Sequence, residues 1–140
     1  MIEDSYSDDY LCGVFARVKT IAMVGASPRP DRPSHRVMKF LQGRGFRVIP
    51  VNPQAAGAII HGEKVVASLG DIPGPVDMVD IFRRSELVAP VVDEAIARGV
   101  KIIWMQLGVR DDTAAAKAER HGIDVVMNRC PAIEMPRLGL

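Results

Sequence analysis

Five short apolar runs recur along the chain, each closed by turn residues and separated from the next by a stretch with helical spacing. They are "TIAMVG" (20–25), "FRVIPVN" (46–52), "VDMVDIF" (76–82), "KIIWMQLG" (101–108) and "IDVVMN" (123–128). Runs this short and this apolar predict strands buried on both faces. Pro50 constrains the end of the second.

The intervening stretches predict helices. The first covers 9–16, behind a polar tail at 1–9 that is expected to fray. In "SHRVMKFLQGRG", Val37, Phe40 and Leu41 fall on one helical face, Ser34 is placed as N-cap, and Gly43 and Gly45 end the helix. In "SELVAPVVDEAIARG", Pro90 is tolerated in a first turn, Val92, Ala95 and Ile96 form the inner face, and Gly99 suits the C′ position. "DDTAAAKAERHG" closes on Gly122, and "CPAIEMPRL" starts a final turn or helix. The segment 53–75 reads as a longer irregular connection with a short helix at 65–69.

Strands alternating with helices call for a parallel sheet covered on both faces. The expected fold is α/β: a Rossmann-like, doubly wound, mainly parallel five-stranded sheet with helices on both faces. The whole chain, 1–140, is expected to form one such domain.

Composition narrows the function classes. The chain has 140 residues, 48% hydrophobic and 25% charged, with a net charge of +1. Such a balance gives no global field for nucleic acid or a membrane surface. The acidic N-terminus is no secretory signal, and no apolar run approaches a membrane span, so a cytoplasmic location is expected. Two cysteines without a CxxC spacing make neither a disulfide scaffold nor a metal site.

The candidate chemistry sits in "MVGASPRPDRPS" (23–34), between the first strand and the second helix. In doubly wound folds this loop is the usual phosphate seat, through backbone N–H groups and the following helix N-terminus. An NAD fingerprint would need GxGxxG and an acid about 20 residues on. This loop has one glycine, no acid occurs between Asp31 and Glu63, and Asn52 stands where the acid would be. The same stretch carries Arg32, Arg36, Lys39, Arg44 and Arg47. A basic surround of this kind suits a ligand with several phosphates, either coenzyme A or NADP.

Five motifs in order then resemble the small CoA-binding protein family: "VGAS…PSHRV", "GFRVIPVNP", "PVDMVDIFRR", "WMQLGV" and "NRCPAIE". That family is similar to the CoA-binding domain of the succinyl-CoA synthetase α subunit, and the resemblance runs from Phe15 to Pro136. It implies that Gly25, Ala26 and Ser27 approach a diphosphate, with Arg32, Ser34 and Arg36 near phosphate groups. Asn52 and Pro53 would border the adenine end, and Phe82 and Arg83 the middle of the ligand. Gln106, Leu107 and Gly108 would line the pantetheine arm, with Asn128 and Cys130 on the same carboxyl edge. Arg29, the loop's other arginine, is a further contact to test.

Cys130, ahead of Pro131 at a helix start and beside Arg129, is the thiol expected nearest to a CoA thiol. Cys12 is expected to be structural. Asp80, inside a buried run, needs a partner. His35, His61 and His121 read as exposed, and no Ser/His/Asp set, carboxylate pair or metal spacing stands out. The expected function is therefore a CoA-binding module, carrier or sensor with a small-molecule nucleotide ligand and no indicated protein partner. The alternatives are an NADP-binding oxidoreductase-type domain, or the CoA-binding subunit of an acyl-CoA ligase or transferase acting with a separate chain.

Overall fold

In the computed structural model, which describes residues 5–140, the period of two within each apolar run decides the architecture. The five runs become β1 (Thr20–Val24), β2 (Arg47–Val51), β5 (Met78–Ile81), β6 (Ile102–Met105) and β7 (Asp124–Val126). They form one parallel sheet in the order β2-β1-β5-β6-β7. Ala22, Val24, Ile49, Val79, Ile81 and Ile103 point to one face, where they meet α3 (Val88–Arg98) and α4 (Asp112–Arg120). Their alternates Ile21, Met23, Val48, Met78, Ile102 and Trp104 point to the other, under α1 (Asp8–Ala16), α2 (Pro33–Gly43) and α5 (Pro131–Arg137). The doubly wound parallel sheet expected from the sequence is the fold observed.

Trp104 anchors the second layer. It is fully buried, its Nε1 donates to Arg129 O at 2.7 Å, and its ring lies 5.3 Å from that of Phe15. The strand starts are clipped together by Asp77, whose Oδ2 accepts from the N–H groups of Lys19 and Thr20 at 2.9 and 3.0 Å. At the far end of α3, Gly99 takes a left-handed conformation, and Arg98 donates to the carbonyls of Leu69, Ile72 and Gly74. One guanidinium thus holds the long connection against the sheet.

Three local expectations are corrected. Residues 5–9 are not a loose tail: Ser7 caps α1 by accepting from Tyr10 N–H, and Tyr6 stacks on Tyr10 and accepts from Met127 N–H. Residues 1–4 lie outside the described residues. The segment 65–69 is not a helix. It follows an antiparallel hairpin of β3 (Ile59–Ile60) and β4 (Glu63–Lys64), runs extended, and enters a 3-10 turn at Leu69–Asp71. The β-branched pair Val65–Val66 favours this extended state. Ser34 is not the N-cap: α2 starts at Pro33 after Arg32, and the Ser34 hydroxyl accepts from Ser27 N–H instead.

The extended residues bring Val66 beside β2 in a single parallel bridge with Val51. Asn52 N–H donates to Val66 O, and Val66 N–H donates to Pro50 O. Pro50 therefore lies on the outer side of an edge strand, where a missing N–H costs no ladder bond.

Candidate functional site: a cleft on the carboxyl edge of the sheet

The order β2-β1-β5 places β1 centrally, with α2 leaving toward one face and α3 toward the other. Such a reversal opens a crevice beyond the strand ends. Here the loops after β1 and β5 touch at its base. Gly25 has φ +89°, and a Cβ built on it would lie 2.3 Å from Phe82 O and 3.1 Å from Arg83 Cδ. Only glycine permits this approach. Gly25 N–H donates to Val51 O and Phe82 N–H to Val24 O, so the strand ladders run to the edge of the crevice.

The rim is cross-wired by side chains. Ser34 Oγ accepts from Ser27 N–H at 3.0 Å, and Ser27 Oγ accepts from Arg29 N–H at 3.1 Å. Asn52 Nδ2 donates to Ala26 O, and its Oδ1 accepts from Gln54 N–H, both at 2.9 Å. Asn52 thus ties the loop after β2 to the loop after β1. On the other side, Asn128 Oδ1 accepts from Gly108 N–H at 2.8 Å, and Ser85 Oγ accepts from Arg110 N–H at 2.9 Å. Loops held this way form the site before any ligand arrives.

The crevice is a cleft of about 650 Å³. From the expected set, the first loop contributes Gly25, Ser27, Arg32 and Ser34. The second contributes Asn52, the third Phe82 and Arg83, and the fourth Gln106, Leu107 and Gly108. Pro53 lines an adjoining lobe of about 450 Å³ that shares Gly25, Arg32, Asn52 and Arg83. Ala26, Arg36, Asn128 and Cys130 line neither. Ala26 is buried and offers its carbonyl to Asn52, Arg36 is exposed on α2, Asn128 braces the Gly108 turn, and Cys130 packs in the core at the start of α5.

Arg29, the further contact expected from the sequence, also lines the cleft, and the structure adds Pro33, Gln54, Arg84 and Val109. Arg84 is adjacent to Arg83 in "FRRS", which is the signal that marks it. Arg29 has a carboxylate at hand, Asp31 at 3.3 Å. Arg32, Arg83 and Arg84 have no side-chain hydrogen bond or ion pair among the described residues, and all three border both lobes. Like charges gathered without acids repel, so the cluster favours an anion.

Two of the three histidines are not the exposed residues expected. His35, on α2, and His61, in the β3–β4 turn, are half-buried with ring centroids 4.1 Å apart, and His61 Nε2 lies 2.8 Å from His35 O. Burial first, then His61, Lys39 and Arg36, hold the His35 imidazole below its ordinary value. In the unfolded chain His35 titrates at its ordinary value, so the unfolded state takes up the proton first as pH falls. Stability contributed by the neutral His35 imidazole should be present above about pH 6.5 and decline below it. Urea midpoints at pH 7.5, 6.5 and 5.5 should show this decline for the wild type and a shallower one for His35→Gln.

Among the described residues no group of three or more His, Cys, Asp or Glu could hold a metal, and no helix is long and apolar enough to cross a membrane.

The cleft can be set beside known proteins. The chain is 41% identical over 117 residues to uncharacterized protein YneT of Bacillus subtilis, covering 84% of this chain and 85% of that one. It is 34% identical over 89 residues to the alpha subunit of ADP-forming acetate–CoA ligase I of Pyrococcus furiosus, covering 61% of this chain but 19% of that subunit. A solved hypothetical protein from Pyrococcus horikoshii OT3 shares the fold with a TM-score of 0.90 at 36% identity, over 100% of both chains. The CoA-binding domain family matches residues 19–136, from the residue before β1 to the end of α5 but one, and takes in every loop of the cleft. This protein therefore belongs to the CoA-binding domain family.

Proposed function

We propose that this protein binds coenzyme A, or an acyl-CoA, in the cleft at the carboxyl edge of its sheet and acts as a binding module, carrier or sensor. The observation that carries the reading is the trio Arg32, Arg83 and Arg84, unpaired among the described residues and gathered on one cleft beside the Gly25 turn. Coenzyme A brings a diphosphate and a ribose 3′-phosphate, which give such a cluster several anionic partners. Ser27 N–H is held by Ser34 Oγ, so the guanidiniums are the better-placed donors to phosphate in this arrangement. The first lobe reaches Gln106, Leu107 and Gly108, where the pantetheine arm would lie. The lobe at Asn52, Pro53 and Gln54 suits the nucleotide end.

Calorimetric titration with coenzyme A, dephospho-CoA, NADPH and NAD tests the reading. Coenzyme A should bind best, and dephospho-CoA should bind about tenfold or more weaker, the size of one lost charge-assisted contact. NADPH binding as well as or better than coenzyme A would overturn the proposal in favour of an NADP domain.

A second reading is supported by the likeness to the acetate–CoA ligase alpha subunit, of which the chain spans about a fifth. In that reading the protein supplies the CoA site to a separate catalytic chain. Co-purification of a stable nucleotide-hydrolysing partner from the native organism would favour it.

A further inference from the structure

Among the described residues, three side-chain oxygen atoms are sealed from solvent without a hydrogen-bond partner: Asp80 Oδ1, Asp80 Oδ2 and Gln106 Oε1. Strand register brings their residues together. Asp80 on β5 is paired with Trp104 on β6, and the ladder continues to Gln106, whose N–H donates to Ile81 O at 3.2 Å. Asp80 and Gln106 thus lie on the same face of adjacent strands, one pleat apart. Asp80 is fully buried, whereas Gln106 also lines the cleft.

Three acceptors and no donor form an unbalanced set, and an unpaired acceptor in a dry interior costs about 1–3 kcal/mol. A proton on Asp80 turns one of the three into a donor. Burial favours the neutral acid and raises the Asp80 carboxyl well above its ordinary value. The state of Asp80 also decides which end of the Gln106 amide turns inward. A neutral acid donates to the amide oxygen and leaves the NH2 group outward. A carboxylate would draw the NH2 group inward and present the oxygen to the cleft. The structure has the oxygen inside, and Gln106 Nε2 is not among the sealed atoms.

We propose that Asp80 is a positioning residue: its carboxylic acid donates to Gln106 Oε1, directly or through one buried water, and so fixes the Gln106 NH2 group as a donor to an acceptor oxygen of the ligand in the cleft. The proposal rests on the coenzyme A reading for the ligand, whose pantetheine amide carbonyls are acceptors of this kind. Its structural half concerns the free protein.

The test uses wild type, Asp80→Asn, Asp80→Leu and Gln106→Leu. Asparagine retains a donor toward Gln106, so Asp80→Asn should keep coenzyme A affinity within about twofold, while Asp80→Leu loses about tenfold, the value of one hydrogen bond. Gln106→Leu should lose a similar factor, and the double variant with Asp80→Leu should lose no more than either alone. In ligand-free wild type, carbonyl-carbon NMR should show Asp80 protonated at pH 7, and the Gln106 side-chain NH2 signals should move in Asp80→Leu but not in Asp80→Asn. Unchanged coenzyme A affinity in Asp80→Leu, or an ionised Asp80 at pH 7, overturns the proposal. If wild type binds no coenzyme A, the functional reading fails, and the carboxyl titration still decides the state of Asp80. If Asp80→Leu does not fold, the wild-type carboxyl measurement and the affinity of Asp80→Asn decide.

Discussion

Gly25→Ala is expected to destabilise the protein by roughly 2–5 kcal/mol, combining about 1–2 for a left-handed conformation with about 1–3 for overpacking. The added Cβ would meet Phe82 O at 2.3 Å, an atom of the backbone that cannot rotate away. The loops after β1 and β5 would have to part, and these two loops are the base of the cleft. Loss of ligand binding should therefore accompany loss of stability. Gly45 supplies the control, with φ +92° and nothing within 4 Å of its Cβ position. Gly45→Ala should show the conformational cost alone, about 1–2 kcal/mol. Denaturant midpoints with unchanged slopes would measure both. Equal losses at the two positions would show that the contact with Phe82 carries no weight.

The second large effect is expected on binding alone. The triple variant Arg32→Ala, Arg83→Ala, Arg84→Ala should lose about a thousandfold or more in coenzyme A affinity, since each charge-assisted hydrogen bond is worth about 1.5–3 kcal/mol. Its stability should stay within about 0.5 kcal/mol of wild type, because none of the three has a side-chain partner among the described residues to lose. Arg36→Ala, on an arginine outside the cleft, should weaken coenzyme A and dephospho-CoA alike and only slightly, through long-range charge. Titration calorimetry on the folded variants reads all of these. Full affinity in the triple variant would remove the guanidinium cluster from the binding site.

The contrast between Arg36 and Arg84 shows where sequence reasoning reaches its limit. The strands were legible because each needs only a local apolar run, and the strand ends located the cleft because a parallel sheet puts them all on one edge. Gly25, Asn52, Phe82 and Gln106 follow from that rule. Which arginines face the cleft does not. Arg36 lies one turn into α2, and Arg84 lies beyond a strand adjacent to β1 in space but far from it in sequence. Helix phase and loop path decide between them, and neither is local. The hairpin β3–β4 was hidden for another reason: its strands have two residues each, too few for any period to show. The tasks of Ser34, Asn52 and Asn128 were equally hidden, because a side chain that braces a loop has no spacing rule of its own.

Pro50 has a consequence for the fate of the protein at high concentration. An exposed strand edge offers N–H and C=O groups as a template on which another chain can add a strand. Here the flank of β2 is screened, among the described residues, by one parallel bridge at Val66, and Pro50 withdraws one of the donors that an incoming strand would require. The residue that read as a constraint on a strand end is therefore a guard against self-association through this edge of the sheet.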